Sequence, residues 1–301
     1  MGTAGLGNLI LKFASSGILG VVFVIVILVM ALIFSLIRKT FMQIWQTIIF
    51  IVLFALSYFI FKNNFGTWLC EKFILQFGLN TSVVVNNINV YEINNFTDLI
   101  ELLGILANDT KYTAEYAYTM SHSMCHAMAL GLLTIANIFV SPIIALLTWP
   151  IIKLFFPNKL NAVNLRFPAP IIGLLEVSFA LIVIINCYSS YSEGLNVLIK
   201  NANYLEQLNM SSKLFNVMKL FSVDFFGFFK ALNFKLFNFQ FAAGGEIYNL
   251  SSEFAQLANK VFPESIDDSL INSYKETLLN LWMNNNGVAI NPLLLPRGEY
   301  G

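Results

Sequence analysis

Residues 13–37, 40–61 and 127–152 contain no charged side chain, and residues 167–188 contain one, Glu176. A bilayer core of roughly 30 Å is crossed by about 20 apolar residues in a helix. Each of these runs is that long. A helix buried in a soluble core would keep a charged face, and the first three runs have none. The pattern predicts an all-α, polytopic membrane protein with four transmembrane helices.

Between and after the runs the pattern changes. Residues 62–125 are polar, with asparagine pairs at Asn63-Asn64, Asn86-Asn87 and Asn94-Asn95 that read as turns. Thr97 is placed to cap a short helix whose apolar stripe is Ile100, Leu103 and Ile105-Leu106, and Thr110 or Thr113 to open a helix that runs on into the third span. Val83 to Val85 and Ile88 to Val90 suit extended backbone. Residues 189–301 read as a mostly helical tail. Ser211 or Ser212 precedes Leu214, Val217, Met218 and Phe221. Asn249 and Ser251 precede Phe254, Leu257 and Val261. Ser265 and Asp268 stand before Leu270, Ile271, Tyr274, Leu278, Leu281 and Trp282. The expected organisation is a four-helix transmembrane domain over 1–188, with an outer loop at 62–125, and a separate phenylalanine-rich tail over 189–301, outside the membrane or on its surface.

Composition agrees. The chain is 57% hydrophobic and 11% charged, against roughly a quarter charged in an average soluble domain. Its net charge is zero, which gives no reason to expect a nucleic-acid partner. The first run is longer than a signal-peptide core and is followed by Arg38-Lys39, so no cleaved leader is expected.

Basic residues set the orientation. Arg38 and Lys39 follow the first run, and Lys153, Lys159 and Arg166 follow the third without an acid. The 62–125 loop has three basic and six acidic residues. Both short connections are therefore expected in the cytoplasm, with the loop, the N-terminus and the C-terminus outside. Pro142 and Pro150 in the third run favour a kink.

Four groups of residues could carry chemistry. Glu176 stands about eight residues into the fourth run, where an ionised carboxylate costs several kcal/mol unless partnered. Gln43, Gln46 and Asn137 are the intramembrane donors it could meet, in an ion or proton step or in a hydrogen bond that fixes the bundle. Gly173, one turn earlier, would let a neighbour approach. His122 and His126 lie four apart on one helical face with Cys125 between, a soft-metal pattern. Met120, Met124 and Met128 form a stripe rotated away from them. The competing reading of that stretch is the watery outer rim of the third helix. Cys70, Cys125 and Cys187 have no short spacing and suggest no disulfide framework. Ten phenylalanines over 215–241, among them Phe225, Phe226, Phe228 and Phe229, alternate with lysines including Lys230. That suits a helix in the headgroup plane, or rings packed on the bundle or on a partner. No catalytic motif is present, so neither an enzyme nor a cofactor is expected.

Two stretches, "SLIRKTFMQIWQTIIFIVLFALSYFIF" and "LNAVNLRFPAPIIGLLEVSFALIVIINCY", carry a resemblance. The first is an apolar helix, a short basic turn, an aromatic residue and a second helix with a polar start. The second resembles a leucine-asparagine entry, at Leu160-Asn161 or Val163-Asn164, into a last span containing Gly173. Together with the helix order, roughly residues 15–190 are similar to the colicin V production protein family of bacterial inner-membrane proteins. The chain departs from that pattern in having one clear glycine in the last helix, and Glu176 where a basic residue is common. The resemblance implies a non-enzymatic envelope scaffold or an accessory to toxin production or export. It brings no catalytic residues. The alternative from the residues is a small oligomeric channel or transporter with Glu176 on its path. The partners expected are the lipid bilayer and either further copies of the chain or another membrane protein.

Overall fold

The computed structural model describes residues 18–109, 111–155, 168–208, 210–211, 213–214, 216–218, 237–263 and 266–291. It is mostly helical. Helix α1 is Ile18–Ile37 and α2 is Thr40–Leu56; α2 continues through a π-helical turn, Ser57–Phe61, into α3, Lys62–Glu71. Then come α4 (Phe73–Gln76), strands β1 (Thr81–Val85) and β2 (Ile88–Ile93), α5 (Phe96–Leu106), α6 (Ala114–Phe155), α7 (Pro168–Lys200) and α8 (Ala202–Glu206). Strands β3 (Gln240–Ala243) and β4 (Glu246–Asn249) lead to α9 (Leu250–Val261) and α10 (Asp268–Asn284).

Among the described residues, three helices are long and apolar enough to cross a membrane: Thr40–Glu71, Ala114–Phe155 and Pro168–Lys200. Each outruns its apolar stretch by several turns. Pro142 and Pro150 lie inside α6, which continues as one helix through both.

The chain divides into two units. One comprises residues 1–63, 128–188 and 224–237; the other comprises 64–127, 189–223 and 238–301. The outer loop and most of the tail, expected as separate pieces, therefore share one unit. The reason is pairing between them that leaves no local pattern. Glu92 N donates to Ile290 O at 2.9 Å, Ile290 N donates to Val90 O at 3.1 Å, and Lys111 pairs with Glu253 at 2.7 Å.

The first unit has polar residues inside and apolar residues outside. Gln43, Thr134, Ser141 and Glu176 are buried, while Ile51, Phe139, Leu147 and Leu154 are exposed, Leu154 by 80%. In water that surface would be unstable; against acyl chains it loses nothing. Trp45 Nε1 donates to Thr148 Oγ1 at 2.8 Å, and Asn137 Nδ2 donates to Ser57 Oγ in the π-helical turn at 2.9 Å.

The second unit has a core of Tyr91, Ile93, Ile100, Leu102, Leu103, Tyr116, Met120, Met124 and Phe254. Strands β1 and β2 pair as an antiparallel hairpin. Asn86 and Asn87 turn it with φ of 52° and 64°, the double left-handed turn that hairpin twist favours and asparagine tolerates. The register shifts between Val83 and Val84, and Val84 N donates to Leu208 O at 3.0 Å. With Ile290 bonded along β2, both edges of the hairpin are engaged. A second hairpin, β3–β4, turns on Gly244-Gly245 with φ of 58° and 82°. The tail, expected to be mostly helical, also holds a hairpin that was not expected, because a glycine pair with positive φ folds the chain back before α9 begins.

Caps define the helix starts. Asn95, not Thr97, caps α5: its Oδ1 accepts from Asp98 N at 2.8 Å, and Asp98 Oδ2 accepts from Asn94 N at 2.9 Å. Thr113 Oγ1 accepts from Tyr116 N at the start of α6. Asn249 caps α9 and Asp267 caps α10; Ser265 lies outside the described residues. Since Asn95 is fully buried, Asn95→Ala strands the Asp98 amide away from water. It is expected to destabilise this unit by about 1–2 kcal/mol, whereas Asn95→Ser keeps an acceptor and costs less. Thermal unfolding of the two variants checks the order.

Candidate functional site

Glu176 projects from α7 onto one face of α2. Gln43, Gln46 and Thr47 stand at the helical spacing i, i+3 and i+4, which puts all three on that face. Gln46 Nε2 donates to Glu176 Oε1 at 3.0 Å. Thr47 Oγ1 donates to Oε2 at 2.7 Å, and Gln43 Nε2 donates to Oε2 at 3.3 Å. The carboxylate is 6% exposed, and Gln43 and Gln46 are 1% and 8% exposed. Arg38, at the end of the turn after α1, acts electrostatically on the carboxylate. The amide oxygens of Gln43 and Gln46 are buried without a hydrogen-bond partner among the described residues.

This is a polar knot in apolar surroundings. It joins α2 to α7 through three donors and one acceptor group, each bond worth more than it would be in water because no solvent competes. Gly173, one turn before Glu176, makes room for it. A Cβ there would stand 2.0 Å from Ser35 Oγ and 3.4 Å from Gln43 Nε2. The approach that Gly173 permits is thus by side chains of α1 and α2. Asn137, also expected near Glu176, is engaged at Ser57 instead. Thr47 was not expected. Its signal was its register with Gln43.

The second unit holds the histidine and cysteine cluster. His122 Nε2 stands 3.6 Å from Glu71 Oε1, and the His122 ring lies 4.2 Å from that of Tyr118. The His122 and His126 rings are 6.0 Å apart at 87°. Cys125 is fully buried, one turn after Ser121, whose Oγ lies 3.5 Å from the Cys70 sulfur. Among the described residues no three His, Cys, Asp or Glu side chains form a set that could hold a metal ion. The soft-metal expectation at His122, His126 and Cys125 is therefore corrected: the two imidazoles stand edge to face rather than converging on one point with a third ligand. The watery-rim reading is corrected too. Met120, Ser121, Met124 and Cys125 are all buried, because α5 and α3 pack around this part of α6, as the Thr97–Ser121 and Cys70–Ser121 hydrogen bonds show.

A third cluster ties the loop to the tail. Glu253 Oε2 accepts from Tyr116 Oη at 2.6 Å and from Lys111 Nζ at 2.7 Å. Lys111 Nζ lies 4.4 Å from the centre of the Tyr248 ring, which packs with Phe241 and Tyr116. Nearby, Lys260 pairs with Asp109. That hydrogen bond holds the Asp109 carboxyl below its usual range and raises the Lys260 ammonium. A depressed carboxylate stabilises the fold above its unfolded pKa and loses that contribution as pH falls through its folded value. The pair is solvent-screened and so small in effect. The expected membrane-surface residues Phe225, Phe226, Phe228, Phe229 and Lys230 lie outside the described residues.

Comparison of the chain with family models, with curated proteins and with solved structures gave no match.

Proposed function

We propose that this chain is a non-enzymatic integral membrane scaffold of the bacterial envelope, of the colicin V production type, which holds its second unit outside the inner membrane as an accessory to toxin production or export and to envelope upkeep. In this reading α1 is a fourth span. Its 20 residues reach about 30 Å at 1.5 Å per residue. Arg38, Lys39 and Lys153 stay in the cytoplasm, and both termini lie outside.

One observation carries the reading. Three apolar helices each continue, without a break, into segments of a unit that has its own core, its own capped helices and two hydrogen-bonded hairpins. Such a chain is suited to present a folded surface at a membrane. Its partners would be the bilayer and other envelope proteins or further copies. Reporters test the topology. Alkaline phosphatase joined after Gly301 or within 62–125 is expected to be active, and joined after Lys39 inactive. The reverse pattern would overturn the placement.

The buried carboxylate favours a second reading, a small oligomeric channel or transporter with Glu176 on the ion or proton path. The three donors that already occupy Glu176 suit a structural lock better. Vesicles containing the purified chain are expected to show the proton and ion leak of empty vesicles. A flux that Glu176→Gln abolishes would replace the scaffold with the transporter.

A further inference from the structure

The geometry points to a thiol–disulfide site made by Cys70 of α3 and Cys125 of α6, which closes to a disulfide on reaction with a disulfide oxidant. Its use in the cell rests on the outward placement of the second unit proposed above; its chemistry does not.

Two independent features meet here. The first is the thiol pair itself. Both side chains are fully buried, and the Cys70 sulfur packs against α6 at Ser121, one turn before Cys125. The Cys70 sulfur also lies 3.5 Å from Thr97 Oγ1 and 3.5 Å from Ser121 Oγ, and it interacts with the His122 imidazole. The His122 imidazole beside the Cys70 sulfur supplies the base that a thiol buried in hydrocarbon lacks. The second feature is the spacing of the two helices. Gly66, one turn before Cys70, faces His126, the residue after Cys125. A Cβ on Gly66 would lie 3.0 Å from His126 Cα. The backbones therefore approach as closely as glycine allows beside the two sulfurs, and a disulfide requires its Cα atoms to lie within about 7 Å. Cys187 has no part in this. It belongs to the other unit, where its Cβ lies 3.4 Å from the place of a Cβ on Gly131.

The reaction balances as two exchanges. The Cys70 thiol gives its proton to His122, and the thiolate attacks one sulfur of the oxidant. A mixed disulfide forms and the first leaving thiolate takes up that proton. The Cys125 thiolate then attacks the Cys70 sulfur. The Cys70–Cys125 bond forms, and the second leaving thiolate takes the Cys125 proton. The protein dithiol loses two electrons, and the oxidant disulfide becomes two thiols. Because both sulfurs are buried, the exchange proceeds through opening of the α3–α6 contact or during folding, and the closed pair then ties the start of the loop to α6.

Thiol counting tests this. The full chain in detergent micelles is reduced, incubated for hours with oxidised glutathione, unfolded, labelled with N-ethylmaleimide and weighed intact. Reduced protein is expected to take three labels. Oxidised protein is expected to take one, at Cys187, with no glutathione attached. Cys125→Ser is expected to stop at a glutathione adduct or to keep both remaining thiols. Three labels on the oxidised wild type, or a lasting glutathione adduct, would overturn the proposal. The same count on acid-quenched cells separates the two readings. One label supports both, whereas three labels in cells with one in micelles leaves the pair standing and removes the outward placement.

Discussion

Glu176→Ala is expected to destabilise the helical unit by about 2–4 kcal/mol, and Glu176→Gln by about 1 kcal/mol or less. The ranking follows from what each change leaves behind. Alanine removes the carboxylate to which Gln43 Nε2, Gln46 Nε2 and Thr47 Oγ1 donate. Thr47 recovers part of its loss because its hydroxyl also bonds to Gln43 O. Among the described residues the two amides have no such second acceptor. A stranded donor costs roughly 1–3 kcal/mol in a water-soluble protein. Hydrogen bonds between membrane helices average about 0.6 and reach about 1.7 kcal/mol, because separated helices in lipid find other partners. Three donors at those lower values set the range. Glutamine keeps one oxygen and introduces an NH₂ that would face donors. Turning either Gln43 or Gln46 over presents its unpartnered Oε1 as the missing acceptor. Unfolding in mixed micelles, followed by α2–α7 proximity, measures both variants. A further variant, Glu176→Leu with Gln43→Leu and Gln46→Leu, removes both sides of the knot and is expected to recover much of the loss, since an apolar pair in hydrocarbon strands nothing. An alanine variant as stable as the wild type would show that the knot does not hold the helices.

That knot was largely legible in the sequence, and the reason is contrast. Glu176, Gln43 and Gln46 are polar letters inside apolar runs, where each needs a partner, so naming them together required little more than counting. Thr47 was missed because threonine does not stand out in a span; only its register with Gln43 marks it. Asn137 looked equivalent to the glutamines, yet a π-helical turn carries Ser57 to it, and no local pattern announces such a turn. Helix positions followed from hydrophobicity, but their ends did not. α6 begins at Ala114 and α7 runs to Lys200 because tertiary packing, not apolar content, sustains their polar turns. The first hairpin showed in Asn86-Asn87. The second had an equally plain signal in Gly244-Gly245, which a helical reading of the tail passed over. The union of loop and tail rests on pairs such as Tyr91–Ile290 and Tyr116–Glu253. Residues so far apart share no period. The same distance hid Cys70 from Cys125.

Gly66→Val is expected to cost the second unit about 3 kcal/mol, and Gly66→Ala about 1–2 kcal/mol. Helix propensity alone predicts the opposite sign for alanine, a gain of up to about 1 kcal/mol at an interior position of a helix, so the measurement decides between two accounts. A Cβ on Gly66 would lie 2.2 Å from His126 Cδ2, 3.0 Å from its Cα and 3.1 Å from its N. The imidazole can swing aside, at the expense of its contact with the His122 ring. The backbone atoms cannot move without separating α3 from α6. Valine adds two methyl groups to that contact and is stiff at χ1, so the helices must part further. Gly131 in α6 supplies the control. A Cβ there would meet only Cys187 Cβ, at 3.4 Å, an ordinary contact, so Gly131→Ala is expected to be neutral or stabilising. Thermal unfolding in micelles gives the signs. The thiol count gives a second readout, since parting α3 from α6 draws Cys70 away from Cys125 and is expected to lower the fraction of protein closed at equilibrium with a glutathione couple. If Gly66→Ala raised stability as much as Gly131→Ala, the close helix crossing would be refuted, and with it the geometry that brings the two sulfurs together.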